Sequence, residues 1–399
     1  MERINGAGSI DAGRYTIKTR KNRFTLVVIL VSATLTVMSG STIAPVLNMI
    51  RDGLGVGASS AGIIITTHSL FLAVSSPFVG IILDRIGTRK PFLFGLVLYG
   101  LGGSSGLYIT SFWGLLASRA VIGIATAFIF TSITVMILNL YEGGERDQVM
   151  GWRASSNSMG GVVWPMVGGA LGGISWHAPF GIYLLSIPLA LATLFVIPET
   201  KKQAGGQAGG SSVLDIFRTR PVLFAIYGLV FLGSILLYAI IVYLPQQLEI
   251  IGISRPFHIS LFISIMSLAG GITSLMFKKI KARLSYKSMI LIILFLWTAG
   301  FTTISQTLSF VIIGAAVILV GISQGVIMPL SSVWVGELVP VSFRGRIAAY
   351  LATFGLLGQF MSPIIFAPVV KHAGLPSVFL AAAGLAVVVF LAFLLKMKR

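Results

Sequence analysis

The chain has 399 residues, 56% of them hydrophobic and 10% charged, and its 29 Lys and Arg outweigh 11 Asp and Glu to give a net charge of +18. Soluble domains carry about 25% charged residues, so this composition, with apolar runs of about twenty residues recurring throughout, excludes a soluble protein, a coiled coil and a disordered chain. The absence of cysteine excludes disulfides, thiol catalysis and cysteine-ligated metals, and the cationic excess reads as membrane topology, with no nucleic-acid partner.

Residues 1–23 form a polar tail carrying Arg3, Arg14, Lys18, Arg20, Lys21 and Arg23. From Phe24 onward twelve apolar spans are expected, near 24–50, 60–83, 91–110, 112–140, 150–174, 179–197, 221–248, 257–277, 288–306, 309–338, 346–370 and 376–395. The first is too long for a signal-peptide core. The longest interruption, 198–220, holds Lys201, Lys202 and a Gly, Ala, Gln and Ser stretch over 203–212. It reads as a cytoplasmic linker between a bundle at 24–197 and another at 221–395, with a short tail at 396–399. Within it, Val213 to Arg220 fits either a short helix on the inner membrane surface or an unstructured approach to span seven.

With the amino terminus in the cytoplasm, the loops put 25 cations inside and Arg51, Arg255 and Lys371 outside, leaving Arg119 within span four. The positive-inside rule then places both termini in the cytoplasm of an integral cytoplasmic-membrane protein. Gly123 and Gly321, Arg146 and Arg344, and Pro165 and Pro363 are each 198 residues apart, at matching points of the two halves. This spacing predicts a duplication, and hence an all-α membrane protein with twelve transmembrane helices in two pseudo-symmetric six-helix bundles.

The loop after span two reads Gly80-Ile-Ile-Leu-Asp84-Arg85-Ile-Gly87-Thr-Arg89-Lys90. It resembles the first signature of the major facilitator superfamily, G-x-x-x-D-R-x-G-R-R/K, departing mainly at Thr88. Gly80 permits close helix approach, Gly87 a tight turn, and Arg85, Arg89 and Lys90 hold the loop at the inner surface. The resemblance implies that Asp84 latches the halves by facing the amino-terminal end of span eleven, where free N–H groups favour an anion.

In span four, Arg119-Ala-Val-Ile-Gly123-Ile-Ala125 is similar to the second signature, R-x-x-Q-G-x-G, with Ile122 and Ala125 replacing Gln and the second Gly. In span five, Gly160-Gly-Val-Val-Trp164-Pro165-Met-Val-Gly168-Gly169 resembles the exporter signature G-x-x-x-G-P-x-x-G-G, with Trp164 before the proline. Ser41-Thr-Ile-Ala-Pro45, Pro198-Glu199-Thr200 and Tyr243-Leu-Pro245 agree in placement. The resemblance covers residues 24–395 and implies the twelve-helix drug or metabolite antiporter group, in which two bundles surround a cavity opening alternately to each side.

An arginine within a span is costly unless it faces protein or water, so Arg119 either holds substrate or influences a proton site, or is scaffold bonded to backbone carbonyls and snorkelling outward. None of the eleven acidic residues lies at the middle of a span. Cationic-drug exporters of the resembling family commonly carry a carboxylate in the first span; its absence between Phe24 and Ile50 argues for a neutral or anionic cargo. His68, Asp84 and Glu337 are the coupling candidates, with Glu337 expected to pair with Arg146 or Arg344. Pro165 is a candidate gating kink. In the resembling fold, spans one, four, seven and ten line the cavity, which brings forward Asn48, Arg119, Phe130, Tyr238, Tyr243, Gln324 and Trp334, joined by Asn157, Trp164 and Gln359 from spans five and eleven.

The expected function is a secondary transporter, a monomer in the lipid bilayer, exporting a small-molecule substrate against protons. Uptake or exchange of an organic anion is the alternative, and a lipid flippase of the same fold is a third. His68, His177, His258 and His372 are scattered and form no catalytic pair. The chain is therefore read as no enzyme, with no cofactor and no metal.

Overall fold

The computed structural model describes residues 23–199, 218–339 and 344–397. Among the described residues the structure is helical, with no β-strand. Span one is not one helix: Arg23–Ser41 gives way to a 3-10 turn at Ala44–Val46 and a short helix at Leu47–Leu54. Pro45 sits in the first positions of that turn, where it has no N–H to continue the preceding helical ladder. The following spans are two, Ala58–Ile86; three, Arg89–Ser104; four, Phe112–Leu140; five, Gly143–Gly172; and six, a 3-10 segment Ala178–Leu185 running into Ser186–Val196. The second half holds seven, Val222–Ile250; eight, Pro256–Leu275; nine, Tyr286–Gln306; ten, Phe310–Leu338; eleven, Arg344–Ala373; and twelve, Pro376–Met397, with a short helix Phe277–Arg283 before span nine.

Ten of these are long and apolar enough to cross a membrane. The other two have physical reasons to fall short. Span three is only 16 residues long, and span five is diluted by Gly, Ser and Asn because it faces protein, packed between spans one and eight. The stretch 198–220 expected as a linker falls largely outside the described residues, as do the expected tails.

The main packing pairs of the first half are two with four, three with four, one with five and three with six; those of the second are eight with ten, nine with ten, seven with eleven and nine with twelve. The pairing scheme repeats, as a duplication requires. It also repeats residue by residue. A Cβ on Gly123 would lie 2.4 Å from the His68 carbonyl oxygen, and one on Gly321 would lie 2.3 Å from that of Met266, which stands 198 residues beyond His68. Tyr99 donates to the Leu35 carbonyl, while their counterparts in the second half, Trp297 and Gly233, pack together.

The halves meet through spans five with eight and two with eleven. Their described polar links lie at the end remote from the termini or near mid-depth. Asn48 Nδ2 donates to the Pro245 carbonyl at 2.8 Å, and Arg51 Nη2 lies 3.0 Å from Glu249 Oε2. Arg51 and Glu249 are themselves 198 positions apart, so each is the other's pseudo-symmetry mate, and they meet where the axis relating the halves leaves the bundle. Ser264 donates to the Val162 carbonyl at 2.8 Å, and Ser69 to Gln359 at 2.7 Å. The far end is closed.

Candidate functional site between the helix bundles

Span five owes its close fit to its glycines. A Cβ on Gly168 would come within 1.9 Å of the Thr42 carbonyl oxygen, in the broken segment of span one, and one on Gly169 would meet Pro256 and Ser260 of span eight. The exporter-like signature therefore lies where the two halves press together. Pro165 is buried inside this helix, and Trp164 Nε1 donates to the Thr34 carbonyl at 3.1 Å, tying span five to span one.

Near mid-depth, a polar group crosses between the bundles. His68 Nδ1 lies 2.6 Å from the Ile65 carbonyl oxygen. A carbonyl only accepts, so Nδ1 carries the hydrogen and the neutral ring keeps its lone pair on Nε2. That atom is 3.4 Å from Ser69 Oγ, whose own proton goes to Gln359 Oε1 of span eleven at 2.7 Å. Gly40 of span one leaves the room for this meeting, because a Cβ there would stand 2.9 Å from His68 Cε1 and 3.1 Å from the Tyr238 hydroxyl of span seven. Four spans thus converge on His68, Ser69, Tyr238 and Gln359.

Arg119 is fully buried. Nη1 donates to the Tyr183 hydroxyl at 3.1 Å and Nη2 to Ser118 Oγ at 3.2 Å, while the guanidinium lies 5.0 Å from the Phe180 ring centroid and 5.2 Å from that of Tyr183. Tyr183 passes its own proton to the Ser39 carbonyl. All these partners belong to the first half. Arg119 neither snorkels to the surface nor opens onto the gap between the halves: aromatic faces and hydroxyls in spans four and six supply what a counter-ion would have supplied.

Counting Arg153 among the loop cations also requires correction. Span five begins at Gly143 rather than near residue 150, so Arg153 lies more than two turns inside the helix. It is 8% exposed, with its guanidinium 4.5 Å from the Phe130 ring centroid and Nη1 donating to Thr134 Oγ1 at 2.7 Å. The signal was available in the spacing, since residues 153, 157, 160 and 164 share one helical face.

The other lining candidates divide by what holds them. Asn48 and Gln324 each donate to a span-seven carbonyl, Pro245 and Gly233. Tyr243 is fully buried and donates to the Pro363 carbonyl. Trp334 stacks on Tyr286 of span nine at 5.0 Å, at the terminal end of span ten. Asn157 is half-buried, and its Oδ1 has no partner.

At the terminal end, Gly87 has φ 83°, a left-handed conformation that favours glycine and justifies its place in the turn. Gly80 has nothing near its missing side chain. Asp84, Arg85 and Lys90 are exposed, and Arg89 donates to the Leu194 carbonyl of span six. The expected partner of Asp84, the start of span eleven, borders residues 340–343, outside the described residues. Glu337 does not pair with Arg146, whose Nε donates to the Tyr141 carbonyl, and the expected alternative, the Arg344 side chain, lies outside the described residues. Glu337 Oε1 receives Lys281 Nζ at 2.5 Å and its Oε2 the Tyr286 hydroxyl at 2.8 Å, because the short helix after span eight carries Lys281 beneath span ten. The bond to Glu337, then that to Tyr286, raises the Lys281 amine above its ordinary pKa.

The sequence matches the profile of the Major Facilitator Superfamily over residues 29–363 and 248–399, and the chain belongs to that family. It is 24% identical to the Bacillibactin exporter of Bacillus subtilis over 84% of this chain and 87% of that one. It is 29% identical to the class B tetracycline resistance protein of Escherichia coli over 43% of this chain and 44% of that one, and 30% identical to the multidrug efflux protein YfmO of Bacillus subtilis over 40% of each. The latter two matches thus span less than half of those relatives. The fold is that of the nucleoside transporter NupG, with TM-score 0.76 at 17% identity, covering 95% of this chain and 100% of that one. The xylose transporter XylE of Escherichia coli superposes with TM-score 0.74 at 12% identity, over 92% and 94% of the two chains.

Proposed function

We propose that this membrane transporter exports a small organic molecule across the cytoplasmic membrane, in exchange for protons, by alternating access. The observation that carries the reading is the closure between the halves at the end remote from the termini, built from symmetry-related positions such as Arg51 and Glu249. A contact between pseudo-equivalent residues at one end of the bundle separates when the two halves rock against each other around a central site. Domain boundaries at 24–197, 198–220 and 221–395, action as a monomer, and cytoplasmic termini complete the proposal; the cation distribution supports the orientation. Export is favoured by the likeness to the Bacillibactin exporter along most of both chains and by the glycine face of span five.

His68 is the proposed proton carrier. With Nδ1–H held by Ile65 and the Ser69 proton committed to Gln359, neutral Nε2 faces an oxygen with no hydrogen between them. A proton on Nε2 extends the existing Ser69–Gln359 link between spans two and eleven into a donor chain that begins at His68. The charged group facing His68 is Arg119 of span four, and the titratable group across the gap is Tyr238 of span seven.

The test uses everted membrane vesicles with an acidic lumen and a panel of organic anions, neutral compounds and lipophilic cations. Uptake that collapses with a protonophore and loses its pH dependence in His68→Gln supports proton-coupled export through His68. Uptake indifferent to the gradient would overturn the coupling, and cargo movement only into right-side-out vesicles would overturn the direction. Uptake or exchange of an organic anion is the second reading, favoured by the absence of any mid-span carboxylate.

A further inference from the structure

The molecule holds two arginines inside the first half with no carboxylate partner among the described residues, and they differ in one respect. Arg119 is sealed, with Nε shut away from solvent and unpartnered. Arg153 is nine-tenths buried, yet of its five N–H donors only one is engaged, on Thr134. The remaining nitrogens are not among the occluded unpartnered atoms, so they stay reachable by solvent. One face of the guanidinium is fixed on Phe130, which sets its plane and leaves its edge to bind. One helical turn further along the same face stands Asn157, whose Oδ1 is buried and unpartnered. Side chains four apart on a helix are separated by about 5–6 Å.

A cation taken out of water is costly without a counter-charge, and a planar fork with free donors is suited to a carboxylate or similar acid group. We infer that Arg153, backed by Phe130 and Thr134 and extended by Asn157, is a binding subsite for a small organic anion that carries a hydroxyl or N–H group a few ångströms from its acid group. The acid group takes the open donors of Arg153, and the hydroxyl donates to Asn157 Oδ1 once a turn of that half-buried side chain brings the occluded atom out. The inference rests on the transporter reading for its biological meaning, but its test is binding alone.

Purified full-length protein is titrated with 3-hydroxybenzoate, benzoate, inorganic phosphate and benzylammonium, following thermal stabilisation and heat of binding. The expected order is 3-hydroxybenzoate, then benzoate, with no response to benzylammonium. Arg153→Gln weakens both aromatic acids by about tenfold or more; Arg153→Lys, which keeps the charge and guards against a folding defect, retains part of the affinity. Asn157→Ala abolishes the advantage of the hydroxyl while leaving benzoate unchanged. Equal binding by phosphate, unaltered binding in Arg153→Gln, or displacement of the acids by phosphatidylglycerol vesicles would overturn the organic-anion subsite, the last assigning Arg153 to a lipid headgroup. Loss of acid binding in a protein that still transports other cargo sinks the subsite and spares the transporter. Acid binding in a protein that transports nothing does the reverse.

Discussion

Arg119 and Arg153 sit in the same bundle, each beside aromatic rings, yet one is closed in by Tyr183, Phe180 and Ser118 and the other keeps free donors. The difference teaches that an intramembrane arginine is not by itself a binding residue. Where ring faces and hydroxyls surround the guanidinium it braces the bundle; where one ring backs it and its edge is left open it can take a ligand.

The largest expected effect separates the two directly. Arg119→Ala should lower stability by about 2–5 kcal/mol, combining lost hydrogen bonds with a cavity beside Tyr183 and Phe180. The thermal midpoint in detergent measures it. Arg153→Ala should move that midpoint far less while abolishing anion binding; equal destabilisation by both would erase the distinction. Next comes Gly168→Val, whose new side chain meets the Thr42 carbonyl oxygen. Overpacking there should cost about 1–3 kcal/mol and open the seam between spans one and five, in contrast to Gly80→Ala, which meets nothing and should be nearly neutral.

A smaller, conformational effect is expected from Glu249→Gln. Losing the charge opposite Arg51 should favour opening of the far end, read as faster labelling of a single cysteine introduced near Leu54 in a chain that has none. Unchanged labelling would show that apolar and glycine contacts hold the end without the ion pair. The least effect belongs to the exposed pair, Glu337 and Lys281. Because the folded Lys281 amine is raised above its ordinary value, the pair's contribution is present below the unfolded lysine pKa and is lost as pH rises through the folded one. Glu337→Gln should lower the Lys281 pKa, followed by NMR, with a midpoint change near the limit of measurement.

Much of the frame was legible in the chain. Span four was expected at 112–140 and runs Phe112–Leu140, because an uninterrupted apolar run has one way to satisfy its backbone in a bilayer. The break at Pro45 was visible as a motif but not as a broken helix, since a proline can kink or end one. Arg153 was missed because polar residues at 142–148 resemble a loop, whereas span five continues past the apolar run into that region. The partners of Arg119 and Glu337 were out of reach: Tyr183 lies 64 residues from Arg119 and Lys281 lies 56 from Glu337, and a spacing of that size carries no orientation.

The sequence by itself determined that this chain crosses a membrane many times, that its two halves carry three matched landmarks offset by 198 positions, and that its cations gather on one side. These follow from hydropathy, periodicity and charge, which act locally along the chain. Only the tertiary structure decided that Arg119 is sealed and Arg153 open, that Arg51 meets its own symmetry mate, and that Gly40 leaves space for His68 to face Tyr238. Those outcomes depend on helix rotation and depth, which are set by close packing between distant segments rather than by any residue's own preference.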